Sequence, residues 1–195
     1  MPRHLTARTV PGASRTAVGG LLIAAAILAG LGGAQPARAD NQVIGWNQEF
    51  LNLTQQTSGN LVAGPPEVAR EIAIIGNAMS DAVTAATGGN SFYAYAGGVV
   101  AGADANVAAA AAAYTALSSI YNNAAWQSPI STITGNLTPN VSNVNLVNNV
   151  VLPQLNTFLT ADLASLGLTS PGSCSGSGTS LCLGFNLGVA AANAV

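Results

Sequence analysis

The segment from Pro65 to Ala86 constrains the fold more than any other stretch of the chain. Pro65-Pro66 suits a helix start, because proline's fixed φ matches the first turn and its missing N–H is not needed there. Glu67 and Glu71 follow, where the positive end of the helix dipole favours carboxylates. Val68, Ile72, Ile75, Met79, Ala82, Val83 and Ala86 then recur in steps of three and four, which puts one apolar stripe on one helix face. Gly88-Gly89 supplies a stop that can take the left-handed conformation. The rest of the chain is expected to organise around this helix, with Gly76 admitting the close approach of a neighbour. Arg70 and Asp81 read as a solvated face or one structural ion pair.

The beginning of the chain has a different character. Arg3, His4, Arg8 and Arg15 precede an apolar stretch from Ala17 to Gly33, and Ala37-Arg38-Ala39 places small residues where a signal peptidase reads. This is the layout of a Sec-type signal peptide over residues 1–39, cleaved before Asp40. A retained membrane anchor is the alternative, but the apolar core is short for a spanning helix. No Arg-Arg pair marks a twin-arginine leader. The expected product, residues 40–195, is a secreted or periplasmic helical domain with no stable membrane insertion after cleavage.

Cleavage removes most of the chain's cationic chemistry. His4 is the only histidine, there is no lysine, and Arg70 is the only arginine after residue 39. One arginine against seven carboxylates leaves a formal charge of −6. Such a chain has no basic patch for nucleic acid. It also lacks the residues for a Ser-His triad, a Schiff-base lysine or a histidine metal site. The apolar content of the whole sequence, 49 %, separates it from disordered chains. With only 6 % charged residues, its unpartnered apolar helix faces are expected to support self-association.

Four further helical stretches follow from the pattern. In Asn41–Thr57, Val43, Trp46, Phe50, Leu51 and Leu53 recur near helical spacing, with Trp46 as a core anchor rather than a ligand-stacking platform. Ser58-Gly59-Asn60 breaks this helix from the next. After Gly88-Gly89, the cluster Phe92, Tyr93 and Tyr95 reads as an aromatic plug under a loop, with a substrate-contacting loop as the alternative. Asp104 is an N-cap for a helix to Asn122, whose alanine run Ala108–Ala113 has the highest helix propensity. Asn123–Asn140, with Trp126, Pro129, Gly135 and Pro139, is irregular.

The apolar pattern resumes from Val141 to Leu166, where Pro153 either kinks one helix or divides it in two. Its valine-rich first half leaves a strand as the alternative. Ser170–Ser180 is a loop, and Cys174 and Cys182 are a disulfide candidate across it, given export. Two thiols without a histidine make a poor metal site, and the spacing is not Cys-x-x-Cys. From Leu181 to Val195, Gly184 and Gly188 stand one turn apart and suit close helix packing. No stop signal interrupts this pattern before Val195, so the domain is expected to be incomplete at its C-terminus.

Several of these stretches, in this order, resemble the N-terminal part of the bacterial vanadium-dependent haloperoxidase-like proteins of the type 2 phosphatidic acid phosphatase (PAP2) superfamily. They are Ile44-Gly45-Trp46-Asn47, Gly64-Pro65-Pro66-Glu67-Val68-Ala69-Arg70, Ala78-Met79-Ser80-Asp81-Ala82-Val83 and Tyr93-Ala94-Tyr95-Ala96. Ala113-Tyr114-Thr115-Ala116-Leu117 and Leu183-Gly184-Phe185-Asn186-Leu187-Gly188-Val189-Ala190-Ala191 continue the series. The resemblance implies the leading helices of a larger α-helical fold whose full-length members hold vanadate. Gly76 and Asn77 stand where members often carry a histidine before the Ala-Met pair. The family's oxyanion pocket uses lysine, arginines, a Ser-Gly-His segment and an Arg-x-x-x-Gly-x-His segment; after residue 39 this chain has one arginine, no lysine and no histidine, so none of those motifs can be placed. The resemblance therefore implies a truncated fragment without activity by itself, with no catalytic, cofactor-binding or metal residue and no cofactor.

The expected fold is all-α, a bundle of about four to five helices after the signal peptide. A stand-alone exported helical binding or structural protein is the alternative function. An enzyme using only Asp, Glu, Ser, Tyr or Cys is a third reading, with Glu67 and Glu71 as the only close carboxylate pair.

Overall fold

The computed structural model describes residues 36–57, 65–89, 91–123 and 141–195, with side chains from residue 41 onward. The described residues form five helices and no strand. They are α1 (Pro36–Thr57), α2 (Pro65–Thr87), α3 (Ala105–Asn122), α4 and α5 (Ser180–Ala192). Helix α4 is continuous through three segments: Val141–Leu146, a π-helical turn Val147–Val151, and Leu152–Ser165. A 3₁₀ turn, Pro171–Cys174, precedes α5. The fold is an all-α bundle. The breaker Ser58-Gly59-Asn60, the irregular stretch from Ala124 to Asn140 and the leader up to Gln35 lie outside the described residues. Helix α1 starts at Pro36, ahead of the Asn41 expected from its apolar spacing.

The hub of the bundle is α3, not the Pro65–Ala86 helix. Every residue from Ala105 to Ala113 is buried, and α1, α2, α4 and α5 all pack on α3. Asp104 caps it as expected: Oδ1 accepts from the backbone N–H groups of Asn106 at 2.9 Å and Val107 at 3.0 Å. An alanine helix is thin, so neighbours can approach its backbone. Helix α5 does so through its two glycines. A Cβ at Gly184 would collide with the Asp104 carbonyl oxygen. A Cβ at Gly188 would meet the Ala108 carbonyl oxygen, and would lie 2.7 Å from Ala111 Cβ and 2.8 Å from Ala112 N. The Asp104 N–H also donates to Ser180 O at 2.9 Å, tying the starts of α3 and α5 together.

The glycine in α2 has no such purpose. Gly76 is exposed and nothing lies within 4 Å of where its Cβ would be, so the expected close approach does not occur there. The end of α2 does follow the sequence. Gly88 has φ +85°, and the Gly89 N–H donates to Thr84 O at 2.8 Å, the long bond of a Schellman cap. The return strand of chain is pinned by Val100 N–H to Ala85 O at 2.9 Å.

On the other side of α3, bulk replaces close approach. Trp46, Phe50 and Leu53 of α1 are buried, as are Val147, Val151, Leu155 and Leu163 of α4. Trp46 meets Phe158 edge-on at 4.8 Å between ring centroids, which places the tryptophan in the core. The valine-rich start of α4 is helical, so the strand alternative is set aside. Pro153 does not split α4. The preceding turn widens to a π turn in which the Leu152 N–H bonds Val147 O, so the ring enters at the start of the next α segment.

Cys174 and Cys182 form a disulfide, with Cα atoms 4.9 Å apart, that joins the 3₁₀ turn to α5. Closing so short a loop contributes about 2–3 kcal/mol. Helix α5 ends at Ala192, where the Asn193 N–H reaches Val189 O at 3.1 Å, rather than running through Val195. Among the described residues, no helix is long and apolar enough to cross a membrane.

The glycines give opposite predictions. Gly188→Ala forces a methyl group against backbone and is expected to cost about 1–3 kcal/mol. Gly76→Ala adds a methyl group in open space and is expected to stabilise by about 1 kcal/mol. Urea unfolding of both variants against the parent checks the pair; equal effects would contradict the packing described.

Candidate functional site: a buried carboxylate beside a cavity

The expected apolar stripe of α2 largely faces the core: Ile75, Met79 and Ala82 are buried, and Val68, Val83 and Ala86 pack against the core, but Ile72 does not. Its buried residues are Glu71, Ile75, Ala78, Met79, Asp81, Ala82 and Ala85, while Ile72 is 43 % exposed. Glu71 therefore occupies a core-facing position and is not merely an acid placed near the helix N-terminus. Only Glu67 fits the dipole reading, in the first turn. A sequence signal existed: Glu71 starts a run of three- and four-residue steps that continues through small and apolar residues to Ala85.

Glu71 is 1 % exposed, and among the described residues neither carboxylate oxygen has a hydrogen-bond partner. Burial pushes its pKa up to about 7, and the negative charge of Glu67 adds to the rise. The phenol of Tyr121 on α3 is raised too, first by burial and then by the Glu71 charge, while the hydroxyls of Thr54 and Thr57 on α1 oppose the rise. Glu71 lines a cavity of about 170 Å³ together with Arg70 and Ile74 of α2, Ala116, Ser119 and Ile120 of α3, Asn123, Ala192 of α5 and Val195.

The other buried acids are satisfied. Asp81 is neither solvated nor in an ion pair. Its carboxylate accepts the backbone N–H groups of Tyr93 at 2.6 Å, Ala94 at 2.8 Å and Tyr95 at 2.8 Å. Burial pushes its pKa up, but the three donors outweigh this and leave it below the ordinary value. Asp81 thereby shapes the aromatic loop. Phe92 and Tyr95 pack edge-on against each other at 5.8 Å and onto the core, as a plug, while Tyr93 is 72 % exposed.

Asp162 on α4 accepts Trp46 Nε1–H at 2.9 Å. Burial raises its pKa, opposed by hydrogen bonds from Gln42 and Trp46. Glu49 accepts from Gln154 Nε2 at 2.8 Å. A second hollow, of about 280 Å³, is lined by Asn41, Gln42, Ser165 and Leu166 and holds no buried orphan group. Arg70 is exposed on α2 and adjoins Glu71 in the cavity wall. Among the described residues, no three His, Cys, Asp or Glu side chains cluster as metal ligands.

No protein-family model matches this chain, and no curated protein or solved structure matches it either.

A carboxyl group whose folded pKa lies above its unfolded value is stabilising, relative to its charged form, below the unfolded pKa. That stability is lost as pH rises through the folded pKa. Between pH 4.5 and about 7, Glu71 is expected to withdraw roughly 1–3 kcal/mol, the lower figure allowing for solvent screening. Glu71→Gln keeps the shape and removes the charge. Denaturant unfolding at pH 5 and pH 8 should show the variant gaining on the parent at the higher pH; a pH-independent difference would count against the buried acid.

Proposed function

We propose that this chain is an exported helical domain with no oxyanion chemistry of its own, corresponding to the leading helices of a haloperoxidase-like bundle. The observation that carries this reading is the setting of Arg70. It is the only cationic side chain after residue 39, it is exposed, and it shares its cavity wall with a buried carboxylate. A vanadate or phosphate ion needs several converging guanidinium or ammonium donors, and a neighbouring carboxylate repels it. The order of motifs from Ile44 to Ala191 supports the kinship, and the basic-then-apolar leader over residues 1–39 supports export. Isothermal titration of the full chain with orthovanadate is expected to give no saturable heat. Micromolar binding would overturn the reading.

The closure of the bundle favours a second reading, a stand-alone exported binding or structural protein. Four helices surround α3, and α2 and α5 both end in hydrogen-bonded caps. Val43, Ile44 and Leu51 are exposed on α1 and offer an apolar face for pairing with a second copy. This reading expects one cooperative thermal transition for the chain alone and a dimer in sedimentation velocity that Leu51→Glu converts to monomer. A melt without a cooperative transition would remove it.

A further inference from the structure

We propose that the first half of α2, residues 65–74, is a pH-dependent latch: it lies closed on α3 while the buried Glu71 carboxyl carries its proton, and it opens at Gly76 when that proton leaves. This goes beyond both readings above and needs neither a ligand nor catalytic chemistry.

The two halves of α2 are held differently. In the second half Ile75, Ala78, Met79, Ala82 and Ala85 bury apolar side chains. Asp81 adds its bonds from the N–H groups of Tyr93, Ala94 and Tyr95, and the Val100 N–H donates to Ala85 O. In the first half Glu71 is the one buried residue. Val68 and Ile74 are only partly buried, and Ala69, Arg70, Ile72 and Ala73 are exposed. Gly76 stands at the boundary, exposed, with nothing within 4 Å of where its Cβ would be. Glycine is a poor helix former and accepts other backbone conformations, so the helix is weakest where its anchoring changes.

The buried anchor of the first half is a titratable one. Glu71 is 1 % exposed, and among the described residues neither oxygen has a hydrogen-bond partner, whereas Asp81, Asp162 and Glu49 each accept a bond from a backbone or side-chain donor. As a neutral acid the group is tolerable in the core. As an anion it is cut off from solvent without a donor among those residues, which is costly, and detaching the first half restores its hydration. A local opening is enough, because a segment with few buried apolar contacts opens at lower cost than the whole fold. Opening uncovers the face of α3 around Tyr121, which is fully buried in the closed form.

The groups around Glu71 do little to hold its charge. Glu67, one turn earlier on the same helix, repels it. Arg70 is adjacent but exposed, so its charge is screened by solvent. Tyr121 of α3 has its phenol raised by burial and by the Glu71 charge, so it stays neutral and supplies no counter-charge. Helix α1 contributes the Thr54 and Thr57 hydroxyls at Tyr121, and α5 contributes Ala192, none of which titrates. Burial first and Glu67 second push the Glu71 pKa up from 4.5 to about 7. The closed form therefore binds the proton more tightly than the open form. Its advantage is complete below the open-state pKa and is lost as pH rises through the folded one.

The test is hydrogen–deuterium exchange of the full chain at about pH 5.5 and about pH 8, read as protection factors so that the intrinsic pH dependence of exchange is removed. Amides 69–76 are expected to lose roughly tenfold or more in protection at the higher pH, given a folded pKa of about 7 against 4.5. Amides 78–87 of the same helix and those of α3 are expected to keep theirs. Glu71→Gln should hold the same protection at both pH values. Gly76→Ala should raise protection of amides 69–76 at the higher pH while leaving its pH dependence in place. The parent chain alone can overturn the latch, by equal protection at both pH values or by a loss spread evenly over α2 and α3. A pH response that survives in folded Glu71→Gln would overturn it too, and unchanged protection in Gly76→Ala would overturn the hinge.

Discussion

The contact between α3 and α5 is the interaction on which the other packing depends. Two backbones approach until Gly184 and Gly188 leave no room for a methyl group against Asp104, Ala108, Ala111 and Ala112. Dispersion falls steeply with distance, so a thin interface of small residues gains many weak contacts only if both helices keep their small side chains in register. The disulfide at the start of α5 and the bond from Asp104 N–H to Ser180 O hold that register. Once α5 lies flush on α3, α2 closes the same side, and Ala192 and Ile74 come to share a cavity wall.

The opposite side of α3 is built by another rule. Trp46, Phe50, Phe158 and the leucines of α4 fill the space between α1 and α4 with long side chains, and two polar links cross it, Trp46 to Asp162 and Gln154 to Glu49. The bundle is thus asymmetric about its hub. The side with small residues is intolerant of added volume, and the side with large residues depends on filling space. Buried polarity follows the same division of labour. Asp81 and Asp162 spend their lone pairs on organising a loop and an aromatic contact, while Glu71 is left without a donor among the described residues.

Much of the local structure was legible in the chain. Pro65-Pro66 and Gly88-Gly89 bracket α2, Asp104 caps α3, and the spacing of Cys174 and Cys182 matches the disulfide, because capping, left-handed glycine and loop closure depend on nearest neighbours. The roles within α2 were less legible. Ile72 and Glu71 are adjacent, so a rotation of one residue about the helix axis exchanges which of them is buried, and apolar counting favours isoleucine. Gly76 and Gly188 look alike in sequence, yet only Gly188 meets a backbone. The π turn before Pro153 was likewise unreadable, since kink, split and bulge all satisfy the same missing N–H.

The sequence by itself determined an all-α chain with the boundaries of α2 and α3, a leader-like beginning, a single late arginine and the absence of histidine chemistry after residue 39. Those properties are carried by composition and by residues a few positions apart. Only the tertiary structure decided that the alanine helix, not the longer amphipathic one, is the hub, and that Glu71 faces inward. Both outcomes depend on how closely separate helices can approach. That distance is set jointly by the small residues of α3 and the glycines of α5, which lie far apart in the chain and acquire their meaning only when the two backbones touch.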